Sequence, residues 1–417
     1  MAQESPSSNY IQSLFAQRIG GRRFGEATEI YKFEKIKRAK QAARAEHPGV
    51  ELIDMGVGEP DARADDGVVA TLAREAAVPA NRFYADNGIP EFKAAAARYM
   101  ERVFGVQLDP EREINHAIGS KSALAMLPSA FVDPGDVVLM TAPGYGVLGT
   151  LSKWLGAEIV DLPLRRENGF LPDLKAIPPA ALQRAKLLYL NYPNNPTGAS
   201  APRAFLEEAV AFARKNEILI VYDAAYAALT FDGAEPVSFL AVPGAKEVGI
   251  EVQSLSKAFN MTGWRIAFVA GHERVVNAFA TVKDNFDSGQ FRAVQKAGVY
   301  ALDHPEITQA TARKYSRRHD RLVAALREVG FDAQKPQASF YLYVPAPKGT
   351  ASGRTFATAE AFSEYLIREH LISTVPWDDA GPFVRFSVTF EAKDDPEDEA
   401  RVIDELLRRL RRDRFVF

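Results

Sequence analysis

Apolar and polar positions follow two rhythms along the chain. From about residue 50 to 295, short apolar runs alternate with stretches of helical periodicity, which is the βα order of a mostly parallel sheet. The candidate strands are Val137–Thr141, Ala157–Leu162, Leu187–Asn191, Ile218–Tyr222, Val248–Gln253 and Ile266–Ala270. Further on, the pattern predicts a long helix over about 307–329, strands near 340–344 and 383–388, and a basic helix over 396–412. Residues 1–30 read as an extended arm in which Gly20, Gly21 and Gly25 break any helix, and Glu29 to Glu46 reads as an exposed helix. The order predicts an α/β fold in two domains. A large one over 51–300 holds the sheet, and a smaller one combines residues 1–50, arm included, with 301–417.

Composition narrows the function classes. With 417 residues, 47% hydrophobic, 25% charged and a formal net charge of −3, the chain has no electrostatic footprint for nucleic acid or an anionic membrane. The basic runs Lys32-Phe-Glu-Lys-Ile-Lys-Arg38 and Arg408-Arg-Leu-Arg-Arg412 read as solvated helix faces, offset by the acidic run Asp394 to Glu399. There is no cysteine, so thiolate chemistry and disulfides are excluded, and the six histidines have no ligand spacing for a metal. No stretch is long and apolar enough for a membrane helix or a signal sequence, and a cytoplasmic protein is expected.

The chemistry gathers at three strand ends. In open parallel sheets, ligand groups lie just past the carboxyl ends of the strands. Leu187–Asn191 runs into Tyr192-Pro-Asn-Asn-Pro-Thr-Gly198, Ile218–Tyr222 into Asp223-Ala-Ala-Tyr226, and Val248–Gln253 into Ser254-Leu-Ser-Lys257. From Asn195 to Asp223 is 28 residues and from Asp223 to Lys257 is 34, room each time for a crossover helix and a strand. The three ends can therefore face one crevice. Arg265 follows Lys257 by eight residues, offering a guanidinium for phosphate beside an amine for an aldehyde.

Pyridoxal 5′-phosphate requires both groups at once. On that reading Lys257 forms the resting imine and later moves the α-proton, while ionised Asp223 keeps the pyridine nitrogen protonated. Tyr226 and Asn195 would hydrogen-bond the ring's phenolic oxygen. Ser254, Ser256 and Arg265 would hold the phosphate, helped by backbone N–H groups of Ser120 and Lys121 where a helix opens after Gly119. Tyr145, past another strand end, would stack on the ring. Arg385, alone in the alternating strand Phe383-Val-Arg-Phe-Ser387, would take a substrate α-carboxylate.

Alone, each piece has a plainer reading: Asn194-Asn-Pro-Thr-Gly198 is good turn chemistry, and Lys257 or Arg385 could be an ordinary surface or ion-paired residue. The combination, in the order and spacing the cofactor needs, outweighs these. Gly56-Val-Gly58-Glu-Pro-Asp61 is not a dinucleotide loop, because the third glycine is missing and Pro60 stands where a helix should open.

Asn195-Pro-Thr-Gly198, Tyr222-Asp-Ala-Ala-Tyr226, Ser254-Leu-Ser-Lys257, Gly263-Trp-Arg265 and Arg385-Phe-Ser387 together resemble the fold-type I aminotransferases. That resemblance implies a two-domain fold with a mostly parallel sheet, and a homodimer with active sites shared across its interface. It also implies exchange of an amino group between an amino acid and a 2-oxo acid, and a cis peptide at Asn195–Pro196. In the N-terminal third, Ile30–Lys40, Ile53–Asp61 and Arg82-Phe-Tyr-Ala-Asp-Asn-Gly88 resemble the LL-diaminopimelate aminotransferases, which make tetrahydrodipicolinate with 2-oxoglutarate as acceptor. This implies substrate contacts from Tyr31, Gly58 and Asp86, with Asn195 and Arg385, and a reach from Tyr84 to the neighbouring subunit's cofactor phosphate. Between Tyr84 and Gly88 the chain is one residue shorter than better-known members, which carry a glutamate there; Asp86 is the acid present. Gln290 and Arg292 stand as candidates for a second carboxylate. The rival readings are a general aspartate, alanine or aromatic aminotransferase, which would use the same cofactor residues, and a lyase of the same fold.

Overall fold

The continuous apolar runs become strands covered on both faces. The computed structural model describes residues 9–25, 32–392 and 395–417. Its central sheet has seven strands: β1 (Ile114–Ala117), β2 (Val137–Ala142), β3 (Glu158–Pro163), β4 (Ala185–Asn191), β5 (Leu219–Asp223), β6 (Gly249–Ser254) and β7 (Ala267–Gly271). Their spatial order is β1-β7-β6-β5-β4-β2-β3. Successive side chains of a strand point to opposite faces. Along β4, Leu187 and Tyr189 enter one core cluster with Leu124, Leu148 and Phe279, while Leu188 and Leu190 enter the other with Phe92, Leu206 and Ala297. Helices on both faces explain why these strands read as unbroken apolar runs and not as alternating ones.

All the strands except β7 run parallel; β7 is antiparallel to both neighbours, β6 and β1. The reason is local. The connection from β6 to β7, residues 255–266, contains only the 3-10 turn Thr262–Trp264, whereas a parallel return needs a crossover, usually helical. Strand β1 was not foreseen, because Asn115 and His116 interrupt its apolar run, yet both are buried. The arm is not purely extended: Asn9–Leu14 is a short helix, followed by 3-10 turns at Gln17–Ile19 and Gly21–Arg23.

A second, antiparallel sheet joins β8 (Tyr341–Pro345), β9 (Val375–Trp377) and β10 (Phe383–Ser387) in the order β9-β10-β8, with Arg385 opposite Tyr343 and Val375. The N-terminal segment is stitched to it. Ile53 and Asp54 pair in parallel with Ile372 and Ser373, and Ser387 N donates to Met55 O at 2.7 Å.

Buried charge makes the same connection. Arg318, on the helix Glu306–Glu328, is fully buried and donates to Glu399 at 3.0 Å, to Asp61 at 2.9 Å, and to the carbonyls of Val388 and Phe390. Lys314 pairs with Asp61 at 2.9 Å and Arg317 with Glu399 at 2.8 Å. Every buried charge in this group therefore has a partner, the condition for its retention away from water. Among the described residues, no helix is long and apolar enough to cross a membrane.

Candidate active site

Strand register sets up the site. Asn191, at the end of β4, lies opposite Asp223, at the end of β5, and Asp223 lies opposite Val252 of β6, two residues before Ser254. The ends thus deliver Asn191, Asp223 and the Ser254–Lys257 turn to one edge. Asn191 locks two of them: its Nδ2 donates to Asp223 O at 2.9 Å and its Oδ1 accepts Asn195 N–H at 2.9 Å. The Asn195–Pro196 peptide is cis, as expected; Ala142–Pro143 and Tyr192–Pro193 are also cis.

A cavity of about 890 Å³ opens at this edge. It is lined by Gly58, Ser120, Lys121, Tyr145, Asn195, Asp223, Tyr226, Ser254, Ser256, Lys257, Arg265 and Arg385, together with Glu59, Tyr341 and Trp377.

Lys257 Nζ donates to Gly58 O at 2.7 Å. Burial brings its ammonium down to about 8 against the pull of Glu59; Arg265 and Arg385 push it further down and Asp223 opposes them. Asp223 is 4% exposed, and its Oδ2 accepts the Tyr189 hydroxyl at 2.9 Å. Burial lifts its carboxyl to about 6, opposed by Tyr189, the Ala225 N–H and Lys257. An amine and a carboxylate whose ordinary values lie far apart are thereby brought close to neutrality from both sides.

Two arginines occupy separate parts of the lining. Arg265 lies against Gly119, where an added Cβ would meet its Nη2 within 2.2 Å, so the glycine leaves room for the guanidinium. Its Nη1 donates to Thr262 O at 2.7 Å, and the Thr262 hydroxyl donates to Ser256 O at 2.9 Å. Arg385 comes from β10. Its Nη1 donates to Asn195 Oδ1 at 2.8 Å, its Nη2 to Gly56 O at 3.1 Å, and its guanidinium carbon lies 4.1 Å from the Tyr341 ring centroid. Its Nε is buried with no hydrogen-bond partner among the described residues. The Tyr226 and Tyr341 hydroxyls lie 3.2 Å apart beside it, and burial raises Tyr226 well above the ordinary phenol range.

A model of the family described as aminotransferase class I and II matches residues 50–406. The chain belongs to the class I and II aminotransferases. It is 58% identical over 408 residues to an LL-diaminopimelate aminotransferase of Methanocaldococcus jannaschii, with 97% of each chain covered. It is 56% identical over 414 residues to the enzyme of the same name from Methanococcus maripaludis, covering 98% of this chain and 99% of that one. The substrate-bound structure of BacF from Bacillus subtilis superposes with a TM-score of 0.82 at 32% identity, over 98% of each chain.

Not every residue singled out from the sequence reaches the cavity of this aminotransferase. Tyr84 is 79% exposed, away from the lining. Asp86 is exposed and engages Lys283 only through its backbone carbonyl. Tyr31 lies outside the described residues. Gln290 and Arg292 do not line the cavity: Gln290 Nε2 is spent on the carbonyls of Trp264 and Arg265, and Arg292 donates to Tyr84 O. The amide donors of Gln290 are thus not available to a second carboxylate.

Four residues that shape the site went unnoticed in the sequence. Tyr189 and Asn191 sit inside a strand already recognised, so polar groups near its carboxyl end were the available signal. Glu59 lies beside Gly58 in the Gly56–Asp61 segment. Tyr341 lies 115 residues after Tyr226 and carries no local signal.

Proposed function

We propose that this aminotransferase depends on pyridoxal 5′-phosphate and moves an amino group from LL-2,6-diaminopimelate to 2-oxoglutarate, giving tetrahydrodipicolinate, L-glutamate and water. The observation that carries the chemistry is the convergence of Lys257, Asp223, Arg265 and Arg385 on one cavity. The diaminopimelate assignment is supported by the two archaeal enzymes of that name, at 58% and 56% identity over nearly the whole chain.

The residues fit the cofactor. Gly119 has the space a Cβ would fill taken by Arg265, which leaves that guanidinium at the cavity wall. Asp223 is a buried carboxylate with no cation among the described residues in direct contact, which suits a protonated ring nitrogen. When bound, the cofactor supplies an aldehyde that takes up an amino group and a ring that draws electrons from the substrate's α-carbon. Arg265, Ser120, Ser254 and Ser256 would hold its phosphate, with Lys121 beside them, and Tyr145 would cover the ring. Asp223, ionised above about 6, would keep a proton on the ring nitrogen. Tyr226 and Asn195 would donate to the phenolic oxygen.

Lys257 has a neutral fraction near neutral pH because its ammonium is brought down to about 8. Its Nζ would remove the substrate's α-proton and return it at the carbon bearing the transferred nitrogen. Arg385 would fork onto the α-carboxylate from the cavity lining. Gly58 would contact the substrate's carbon chain.

The distal ammonium and carboxylate of diaminopimelate would be met by Tyr31 and Asp86, and the phosphate by Tyr84, supplied across the interface of a homodimer. The exposure of Tyr84 and Asp86 in the single chain is what such sharing requires. We further assign residues 51–300 to a cofactor-binding domain and 1–50 with 301–417 to a smaller one, in a cytoplasmic enzyme.

The test is a donor scan with 2-oxoglutarate, following glutamate formed from LL-diaminopimelate, aspartate, alanine and phenylalanine. The proposal expects LL-diaminopimelate to have the highest kcat/KM. Equal or better use of a mono-amino acid would replace the substrate assignment with a general aminotransferase.

A further inference from the structure

Arg265 is held through its backbone as well as its side chain. Its φ is +55°, in the left-handed region that a non-glycine residue enters at a cost and keeps only when its surroundings impose it. The imposing group is Gln290. Its Nε2 donates to the carbonyls of Trp264 and Arg265, at 2.8 Å each. Its Oε1 accepts from Nε2 of His116, a fully buried ring, at 3.0 Å. With two carbonyls on one side and a ring N–H on the other, only one orientation of the amide satisfies all three contacts.

Gln290 is itself anchored from both sides. Its own carbonyl accepts from Gln295 Nε2 at 2.8 Å, and Gln295 Oε1 takes the Ile89 N–H at 2.8 Å. The preceding Gly289 bridges to Ala85 so closely that a Cβ would sit 2.1 Å from the Ala85 carbonyl oxygen. Neither Gln290 nor His116 lines the cavity.

We propose that Gln290 is a positioning residue for the phosphate end of the site. It fixes the Trp264–Arg265 backbone in the conformation that lays the Arg265 guanidinium against Gly119. It thereby governs how tightly a phosphate-bearing cofactor is held, without touching it. This rests on the pyridoxal 5′-phosphate reading.

The test compares two ligands on the full-length, cofactor-free chain: pyridoxal 5′-phosphate, and pyridoxal, which keeps the aldehyde and lacks the phosphate. Binding is followed by absorbance and protein fluorescence, with thermal unfolding alongside. Gln290→Leu removes both donors. The expected result is a Kd for pyridoxal 5′-phosphate about tenfold higher, the scale of one to two buried hydrogen bonds, with pyridoxal within twofold of wild type. If that variant does not fold, Gln290→Glu keeps the shape, loses the donors and is expected to move in the same direction. Unchanged affinity for pyridoxal 5′-phosphate, or an equal loss for both ligands, overturns the positioning role and leaves the cofactor reading intact. A wild-type protein that binds the two ligands equally overturns the phosphate reading and the inference with it.

Discussion

Replacing Arg385 by lysine isolates the value of its planar fork. The side chain is 3% exposed, lines the cavity and is braced by Asn195, Gly56 and the Tyr341 ring. Lysine keeps the positive charge but offers a single nitrogen, so one of two hydrogen bonds to a substrate carboxylate is lost. A hydrogen bond to a charged group contributes about 1.5–3 kcal/mol. A loss of about 2 kcal/mol corresponds to about 30-fold in kcat/KM. The reduction should appear for the amino acid and the 2-oxo acid alike, because both carry the carboxylate, while affinity for the cofactor stays at the wild-type value. Steady-state kinetics of Arg385→Lys in both half-reactions, with a cofactor titration, measures this. A kcat/KM within twofold of wild type for both substrates would refute the assignment.

Other expectations follow from neighbouring groups. Lys257→Ala should abolish turnover while leaving the unfolding temperature near that of the cofactor-free wild type; steady-state transamination by this variant would sink the role given to Lys257. In the cofactor-free protein burial lifts the Asp223 carboxyl to about 6, above its ordinary value of 3.8, and its ionised form is the one proposed to keep a proton on the ring nitrogen. The affinity of the cofactor-free protein for pyridoxal 5′-phosphate, measured by titration, should therefore fall as pH drops through about 6. A carboxyl raised by burial costs stability once ionised, so in the cofactor-free protein Asp223→Asn should raise stability at pH 7 by up to about 2 kcal/mol, measured by denaturant unfolding. Arg318→Ala should destabilise by about 3–5 kcal/mol in the same assay, because Asp61 and Glu399 each lose a buried partner.

What the sequence disclosed follows from where the physics is local. The parallel strands were legible because burial on both faces demands unbroken apolar runs, and their ends stood out as the first polar residues after them. The cavity-lining motifs sit at those ends, so Asn195, Asp223 and Lys257 could be read together before any contact was known. Strand β1 was hidden because Asn115 and His116 are buried polar residues, and His116 is bonded to Gln290 from a segment 174 residues away. Gln290 was misread for the same reason: its chemistry suits a carboxylate, but its tertiary position gives it two backbone carbonyls instead. Tyr189 and Tyr341 act through partners in other strands, which no local pattern reports. Tyr84 and Asp86 do not reach the cavity within one chain, and the roles proposed for them would need a second copy of it.

The most direct test of the central claim is the absorbance spectrum of the purified holoenzyme before and after addition of LL-diaminopimelate, with no oxo acid present. The account predicts that the band of the lysine-bound aldehyde form disappears and the band of the amine form rises, reversed by 2-oxoglutarate. A lysine-bound band that ignores LL-diaminopimelate but responds to glutamate, aspartate or alanine would contradict the substrate. No such band after incubation with pyridoxal 5′-phosphate would contradict the chemistry assigned to Lys257.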